Sequence, residues 1–390
     1  MSISVQKLGE LVTIKGGGTP SKKIDEYWNG DIPWASVKDL KTRVLSKAED
    51  YITTQGAENS ATNIIPKGTI IVPTRMALGK VAIAGVDLAI NQDLKALFIK
   101  DENVLDKQYL ARFLESKAKY IEGEGKGATV KGITLDFLKS IDVPLPPPAE
   151  QKRIAAILDK ADTIRQKRKQ AIDLADEFLR SVFLDMFGDP VTNPKGFPLG
   201  TIRDLVDTAN YGTSGKASET DGEFPVLRMG NITYQGGWDF TDLKYIDLTE
   251  KELPKYLVHR GDLLFNRTNS RELVGKTAVY NQDEPMAFAG YLVRVRPNEL
   301  GNNYYISGYL NSGHGKKVLV GMCKSIVGMA NINAQELQDI KILLPPIEIQ
   351  NQYESLAKSV YEKTMTHKSS STELELLFNS LSQKAFSGEL

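Results

Sequence analysis

"PLPPPAEQKRIAAIL" spans Pro144–Leu158, and "LLPPIEIQNQYESLA" spans Leu343–Ala357. The two stretches align at a spacing of 199 residues: Pro146 and Pro147 fall on Pro345 and Pro346, and Gln151 falls on Gln350. The register extends upstream, where Ile133, Leu138, Ile141 and Val143 fall on Ile332, Leu337, Ile340 and Ile342. Downstream, Ile154, Ile157, Ala161, Ala175, Phe178, Val182 and Phe187 fall on Tyr353, Leu356, Val360, Leu374, Leu377, Leu381 and Phe386. A solenoid repeats every roughly 20–50 residues. The offset here is a whole domain plus a helix, so the chain reads as a tandem duplication.

The fronts of the halves match as well, with small gaps. "KLGELVTIKGGGTPSK" resembles "TIRDLVDTANYGTSGK", "IPKGTIIVPTR" resembles "VHRGDLLFNRT", and "LGKVAIAG" resembles "VGKTAVYN". Short β-branched runs such as "TIIVP", "KVAIA" and "LLFNR" alternate with Gly, Pro and Asn punctuation, the pattern of strands and turns. One amphipathic helix is expected late in each half, over "DKQYLARFLESKAKYI" and "NYYISGYLNSGHGKKVLV". Thr134 and Asn333 stand where short helices would be N-capped.

Proline at a helix start pre-sets φ and loses no intrahelical hydrogen bond, so "PPPAEQ" and "PPIEIQ" each open a long helix. Apolar residues then recur in steps of three and four: Ile154, Ile157, Ala161, Ile164, then Ala171, Ala175, Phe178, Val182. The second helix has Tyr353, Leu356, Val360, then Leu374, Leu377, Leu381. This spacing predicts a heptad seam. Both seams turn polar at the centre, at Arg168 in one and at Lys363, His367 and Ser370 in the other. An antiparallel pair sets these centres side by side, and a polar centre fixes register at some cost in stability. The alternative is two separate amphipathic helices, each on its own domain. Forty residues make a rod of about 60 Å, which is about 18 base pairs of duplex.

Composition sets outer limits. The chain has 390 residues, 41% hydrophobic and 25% charged, enough for more than one core. Lys+Arg and Asp+Glu balance at 49 each, which leaves nucleic acid open, since binding depends on where charge sits. The one cysteine excludes an internal disulfide and a Cys-rich zinc site, and three scattered histidines argue against a His-based metal site. "MSISVQKLGELV" lacks the pattern of a signal peptide, and no apolar run approaches the roughly 20 residues of a membrane span. The expected location is the cytoplasm.

The whole chain resembles the specificity subunit of type I restriction-modification systems. The resemblance rests on the order domain, "PLPPPAEQKRIAAILDKAD", second domain, "LLPPIEIQ" and final helix. The second copy departs mildly, with "PPIEIQ" for "PPPAEQ" and a more polar helix centre. The resemblance implies an α+β fold: two similar target-recognition domains separated by two long helices that pair as an antiparallel coiled coil with pseudo-two-fold symmetry. The domains divide as 1–147 for the first recognition domain, 148–190 for the first spacer helix, 191–345 for the second domain and 346–390 for the second helix. It implies a non-catalytic subunit in which each domain reads half of a bipartite target in double-stranded DNA. It also implies two methyltransferase subunits and motor-nuclease subunits as partners, no membrane, and no cofactor on this chain. S-adenosylmethionine, ATP and Mg would be used by the partners.

The alternative is a stand-alone DNA methyltransferase or nuclease with an unrecognised site. "GEGKGA" at 123–128 has G-x-G-x-x-A spacing but follows a predicted helix instead of a strand. "GKT" at 275–277 lacks the upstream glycine of a P-loop, because Ser270 stands there. Asp87 with Asp93 and Lys95 loosely has the shape of a metal-dependent nuclease triplet.

DNA reading takes phosphate anchors plus donors and acceptors aimed at base edges. Loops mixing glycine, cations and small polar residues suit both tasks. In the first domain the candidates are Thr19, Ser21, Lys22 and Lys23; Ser36 and Lys38; Arg75 and Lys80; and Lys126, Thr129 and Lys131. In the second they are Tyr211, Thr213 and Lys216; Arg228 and Asn231; Arg267, Asn269 and Arg271; and Lys324 and Asn331. Arg75 and Arg267 lead, since each follows a hydrophobic strand and arginine contacts guanine in a bidentate manner. "RQKRKQ" at 165–170 is a basic helical stretch that could face the phosphates of the unread spacer, or simply solvent.

Overall fold

A strand buried on both faces needs an apolar run, and the chain has one in each half, in Ile70–Pro73 and in the first three residues of Leu263–Asn266. In the computed structural model, which describes residues 4–127, 129–323 and 330–390 (and 366–372 as helix only), both runs are central strands. The chain forms two units, Met1–Lys167 with Ser371–Leu390, and Arg168–Ser370.

In the first unit, one sheet runs in the order Val12–Gly16, Leu94–Ile99, Ile70–Pro73, Ala82–Ala84, Val44–Leu45. A second runs Asp50–Ile52, Trp28–Ala35, Leu88–Ile90, Asn63–Ile65, with its central pair parallel. Side chains alternate across the first sheet with period two. Ile70, Val72 and Leu97 enter a core with Tyr109, Leu110 and Phe113 of the helix Lys107–Ser116. Ile71, Leu94 and Ala96 enter the core between the sheets, with Ile65, Leu88 and Ile90. Ser4–Lys7 pairs with Asp142–Leu145 beside the first long helix.

The second unit repeats this topology except that its first sheet has four strands and no counterpart of Val44–Leu45. One sheet runs Val206–Tyr211, Leu292–Pro297, Leu263–Asn266, Thr277–Val279. The other runs Lys244–Ile246, Phe224–Leu227, Met286–Phe288, Leu257–Val258, again with a parallel central pair. Leu199–Thr201 pairs with Lys341–Leu343. The predicted caps hold: Thr134 accepts from the Phe137 amide at 3.1 Å, and Asn333 from the Glu336 amide at 2.9 Å. Each single helix expected late in a half is two: Lys107–Ser116 and Ala118–Gly123 in the first, Asn303–Asn311 and Gly313–Met322 in the second. Ser312 is extended at ψ 160° and caps Gly313–Met322 through the Gly315 amide at 3.0 Å, so the chain breaks there.

The long helices are Pro148–Phe187 and Ile347–Ser387. In the first unit, Arg165 meets Glu375 at 2.8 Å while Arg153 donates to the Leu390 carbonyl at 3.2 Å, so the two segments run antiparallel. Phe386 packs on Tyr109 and Phe113, both at 5.4 Å. The second unit is also antiparallel, and Phe187, the repeat partner of Phe386, packs on Tyr305 at 4.6 Å and Tyr353 at 5.6 Å. Among the described residues no helix is long and apolar enough to cross a membrane.

The seam differs from expectation by one residue. Ile164, Phe178, Leu356 and Leu377 are 45%, 51%, 43% and 63% exposed. Leu158, Leu179 and Ala357 are buried instead, and Phe378 is half-buried. The inward series runs Gln151, Ile154, Leu158, Ala161, Arg165, Arg168, Ile172, Ala175, Leu179, Val182, in strict alternating steps of three and four. A glutamine sets its phase. Gln151 is fully buried and donates to the carbonyls of Val104 and Pro146 at 2.8 and 2.9 Å, while it accepts from the Asp106 amide at 2.8 Å. Gln350 donates likewise to Leu300 and Pro345 at 3.0 and 2.8 Å. The repeated glutamine therefore ties each long helix to the loop that starts its domain's own helix. His367 and Ser370, read as part of the polar centre, lie outside the described side chains.

Candidate nucleic-acid interface

In the second domain the strand Leu263–Asn266 ends at Arg267, and Thr268–Asn269 then pairs with Ala330–Asn331. The Arg267 guanidinium lies 4.7 Å over the Tyr211 ring. Its Nε donates to Asn331 Oδ1 at 3.2 Å, and Nη1 donates to the Gly290 carbonyl at 3.5 Å. The Thr268 hydroxyl donates to the same Asn331 oxygen at 3.3 Å, and the Tyr211 hydroxyl accepts from the Ala334 amide at 3.0 Å. Three residues predicted from separate loops thus meet at one place. Stacking and one engaged edge hold the guanidinium plane, and Nη2 has no partner among the described residues.

The other second-domain candidates fall into two groups. Lys216 and Arg271 are exposed, and Asn269 accepts from the Ser270 amide at 2.8 Å. Thr213 is 7% exposed, with its hydroxyl accepting from the Gly215 amide, so it shapes a turn. Asn231 is 3% exposed and donates to the carbonyls of Asp239 and Asp242, while Arg228 pairs with Asp242 at 2.8 Å. These three side chains are occupied in holding their own loop. Lys324 lies outside the described residues.

In the first domain Arg75 bridges Gly132, and Lys126 bridges Gly132 from the other side. The Met76 amide donates to the Lys131 carbonyl at 3.0 Å. Arg75, Lys126 and Lys131 are therefore brought to one exposed tip, with Thr129 exposed on the same loop. Thr19 reaches toward it by donating to Gln92 Oε1 at 2.6 Å, next to the Asp93 carbonyl that receives the Thr74 amide. Ser21 accepts from the Trp28 indole through its carbonyl at 3.1 Å, Lys22 lies 5.8 Å over that ring, and Lys23 is exposed beside them. Ser36 caps a turn against Asp39 at 3.0 Å, Lys38 is exposed on that turn, and Lys80 donates to the Leu40 carbonyl at 2.9 Å.

The two tips correspond, but their arginines do not. The Ile133 amide donates to the Thr74 carbonyl as the Ile332 amide donates to Arg267, both at 2.9 Å. Arg75 bridges Gly132 as Thr268 pairs with Asn331. Arg75 thus matches Thr268, and Arg267 matches Thr74, one residue apart. On extended chain one step turns a side chain to the opposite side, so the two domains present arginine differently. Sequence reasoning passed over Gln92, which orients Thr19, and Met76, whose signal is a methionine where a tight turn follows "PTR".

The remaining motifs serve the fold. Lys276 of "GKT" is 7% exposed and donates to the Met229 carbonyl at 2.7 Å, and burial lowers its pKa. Asp87 accepts from the Lys67 amide at 2.7 Å, and Asp93 accepts from the Asn91 side chain at 3.3 Å. "GEGKGA" follows the helix Ala118–Gly123, and its Ala128 lies outside the described residues. In "RQKRKQ", Arg165 pairs with Asp162 and Glu375, both at 2.8 Å, and covers Phe378 at 4.9 Å. Its charge is spent on the helix pair, and Arg168 is engaged too. Lys167 and Lys169 are exposed.

Comparison with known proteins gives a consistent picture. The family model described as type I restriction modification DNA specificity domain matches twice, at residues 3–174 and 194–376. Over 406 residues the chain is 24% identical to the type I restriction enzyme MjaIX specificity subunit of Methanocaldococcus jannaschii, covering 99% of this chain and 93% of that one. Over 164 residues it is 41% identical to the EcoR124I/EcoR124II specificity subunit of Escherichia coli, 40% of each chain. The crystal structure of the type I restriction-modification S subunit from M. genitalium shares the fold at TM-score 0.66 and 16% identity, covering 99% and 96% of the two chains. A chain from a structural study of complex assembly in the type I R-M system matches at TM-score 0.52 and 16% identity, over the full length of both.

Proposed function

The chain belongs to the type I restriction-modification DNA specificity family, and on that premise we propose that it reads a bipartite DNA target, one half-site per domain. The duplicated family match carries this reading. The Arg267–Tyr211–Asn331 cluster serves as the base reader of the second domain, and the Arg75 tip as that of the first. Exposed lysines at 22, 23, 38, 126, 131 and 216 supply phosphate contacts, which position the duplex without specifying sequence. The long helices set the number of unread base pairs between the half-sites.

The chemistry belongs to partner chains in this proposal, and this subunit is non-catalytic. Two methyltransferase subunits using S-adenosylmethionine dock on it, and motor-nuclease subunits using ATP and Mg join them, in the cytoplasm. Support for docking comes from apolar side chains turned outward on the long helices. Leu174 and Phe178 are 62% and 51% exposed, and Leu376 and Leu377 are 67% and 63% exposed. Leu174 and Phe178 lie one helical turn apart, and apolar surface that is contiguous in this way suits a docking partner.

The test is Arg267→Ala in the complex reconstituted with its methyltransferase subunits. Loss of one bidentate contact is worth about 1–3 kcal/mol of discrimination. The variant is expected to relax recognition at one half-site and leave the other unchanged. Equal loss at both half-sites would contradict two independent readers.

A further inference from the structure

Three non-glycine residues among the described ones have positive φ: Asn29 at 60°, Asn193 at 46° and Met76 at 65°. Asparagine enters this left-handed region readily, because its short amide can bond to the local backbone. A long apolar side chain gains nothing comparable there. Met76 is also 58% exposed. The backbone over-determines its conformation: its amide donates to the Lys131 carbonyl at 3.0 Å, and its carbonyl accepts from the Leu78 amide at 2.6 Å. The thioether is thereby held out from a tip whose neighbouring side chains, Arg75, Lys126 and Lys131, are exposed cations. Both the backbone conformation and the exposed apolar surface are unfavourable, and Met76 belongs to neither of the apolar cores described for this domain. A backbone outlier of this kind, on a face built for DNA, points to a function for the side chain.

We propose that Met76 is a specificity-determining residue of the first domain and contacts the 5-methyl group of a thymine in its half-site. The inference rests on the DNA-reading role proposed above. The thymine methyl is the apolar feature of the major-groove base edges, and a flexible, polarizable thioether packs well against it. The flanking cations bring the tip to the phosphates that border the groove. In the register of the two domains Met76 corresponds to Asn269, since Arg75 matches Thr268. An amide at that position suits adenine, so equivalent positions would read the two partners of an A·T pair by different chemistry.

The experiment uses the complex with its methyltransferase subunits and duplexes carrying its target. The half-site of the first domain is the one that Arg267→Ala leaves unaffected. Uracil replaces each thymine of that half-site in turn, which removes only the methyl group. For the wild-type chain one such replacement is expected to weaken binding about fourfold, the worth of one buried methyl group. Met76→Asn, which relieves the backbone, is expected to bind thymine and uracil duplexes equally, and Met76→Leu to keep the preference. A half-site without thymine, or a thymine preference unchanged in Met76→Asn, would overturn the proposal. So would a variant loss equal for both duplexes, the mark of an apolar wedge between base pairs. Absence of any split target for the wild-type complex would instead remove the reading role itself, a result visible before the variants are made.

Discussion

Gln151 and Gln350 show how far a single residue could be read. Their repetition was visible in the sequence, and so was their place in the first turn of a helix. Their burial was not, because a glutamine satisfied by three backbone groups looks like any polar surface residue until the chain around it is placed. Lys316 is a second case. Its ammonium is buried, has no hydrogen-bond partner among the described residues, and sits 4.8 Å over the Tyr234 ring. Burial, then the like charges of Arg180 and Lys276, push its pKa from 10.5 down to about 8. The unfolded chain binds the extra proton between these two values, so stability is lowest below pH 8 and rises with pH through that window. Lys316→Met is expected to stabilise the protein at pH 7 by about 2–3 kcal/mol and to flatten the rise. Urea denaturation at pH 7, 8.5 and 10 measures it, and an unchanged slope in the variant would contradict the assignment.

At the scale of elements, the two long helices were legible in their starts, lengths and repeat, whereas their inward face was misread. The series Ile157, Ile164 and Phe178 has the stronger apolar signal, but the phase is set by Gln151 and by charged residues that a hydrophobic count ignores. The first unit buries a network at this seam. Arg112, 5% exposed, meets Asp159 at 2.8 Å, Glu115 at 2.9 Å and Asp162 at 3.1 Å, and Arg43 joins Asp159 and Glu115. Burial raises the pKa of Glu115, with Arg112 and Arg43 opposing it. The second unit solves the same joint with aromatic rings. Gly308 stands where Arg112 does, since Tyr305 bonds the Leu343 carbonyl as Tyr109 bonds Pro144. A Cβ there would lie 2.7 Å from Phe183, whose repeat partner in the first unit is Ser382. Arg112→Met is expected to destabilise the first unit by about 3–5 kcal/mol, because it strands buried carboxylates. Gly308→Ala is expected to destabilise the second by about 1–3 kcal/mol through overpacking. Hydrogen exchange on the complete chain assigns each loss to its unit, and a loss spread evenly over both would count against separate joints.

For the molecule as a whole, duplication was the most legible property, since apolar matches at one offset need no structure to be counted. The reading face was the least legible. Tyr211, Arg267 and Asn331 come from three distant loops, and only the folded sheet edge shows that they touch. Thr213 and Asn231 have the same residue chemistry but spend it on turns. Duplication also makes the linker Gly188–Pro198 the counterpart of a link from Leu390 back to the start. Ser4–Lys7 pairs with Asp142–Leu145, and Leu390 is bound by Arg153, so both lie beside the base of the first long helix. A circular permutant joined across the original ends and opened near Asn193 is expected to fold cooperatively. An insoluble or molten permutant would contradict the equivalence of the two links.

Two independent readers on one chain leave a signature that no single-site protein leaves. The direct measurement is the adenine-methylation map of the source genome by single-molecule sequencing, with and without this gene. Loss of one split motif, two half-sites around a fixed gap, is the predicted result. A map that keeps every split motif when the gene is removed, in cells where the gene and its methyltransferase are expressed, would contradict the account.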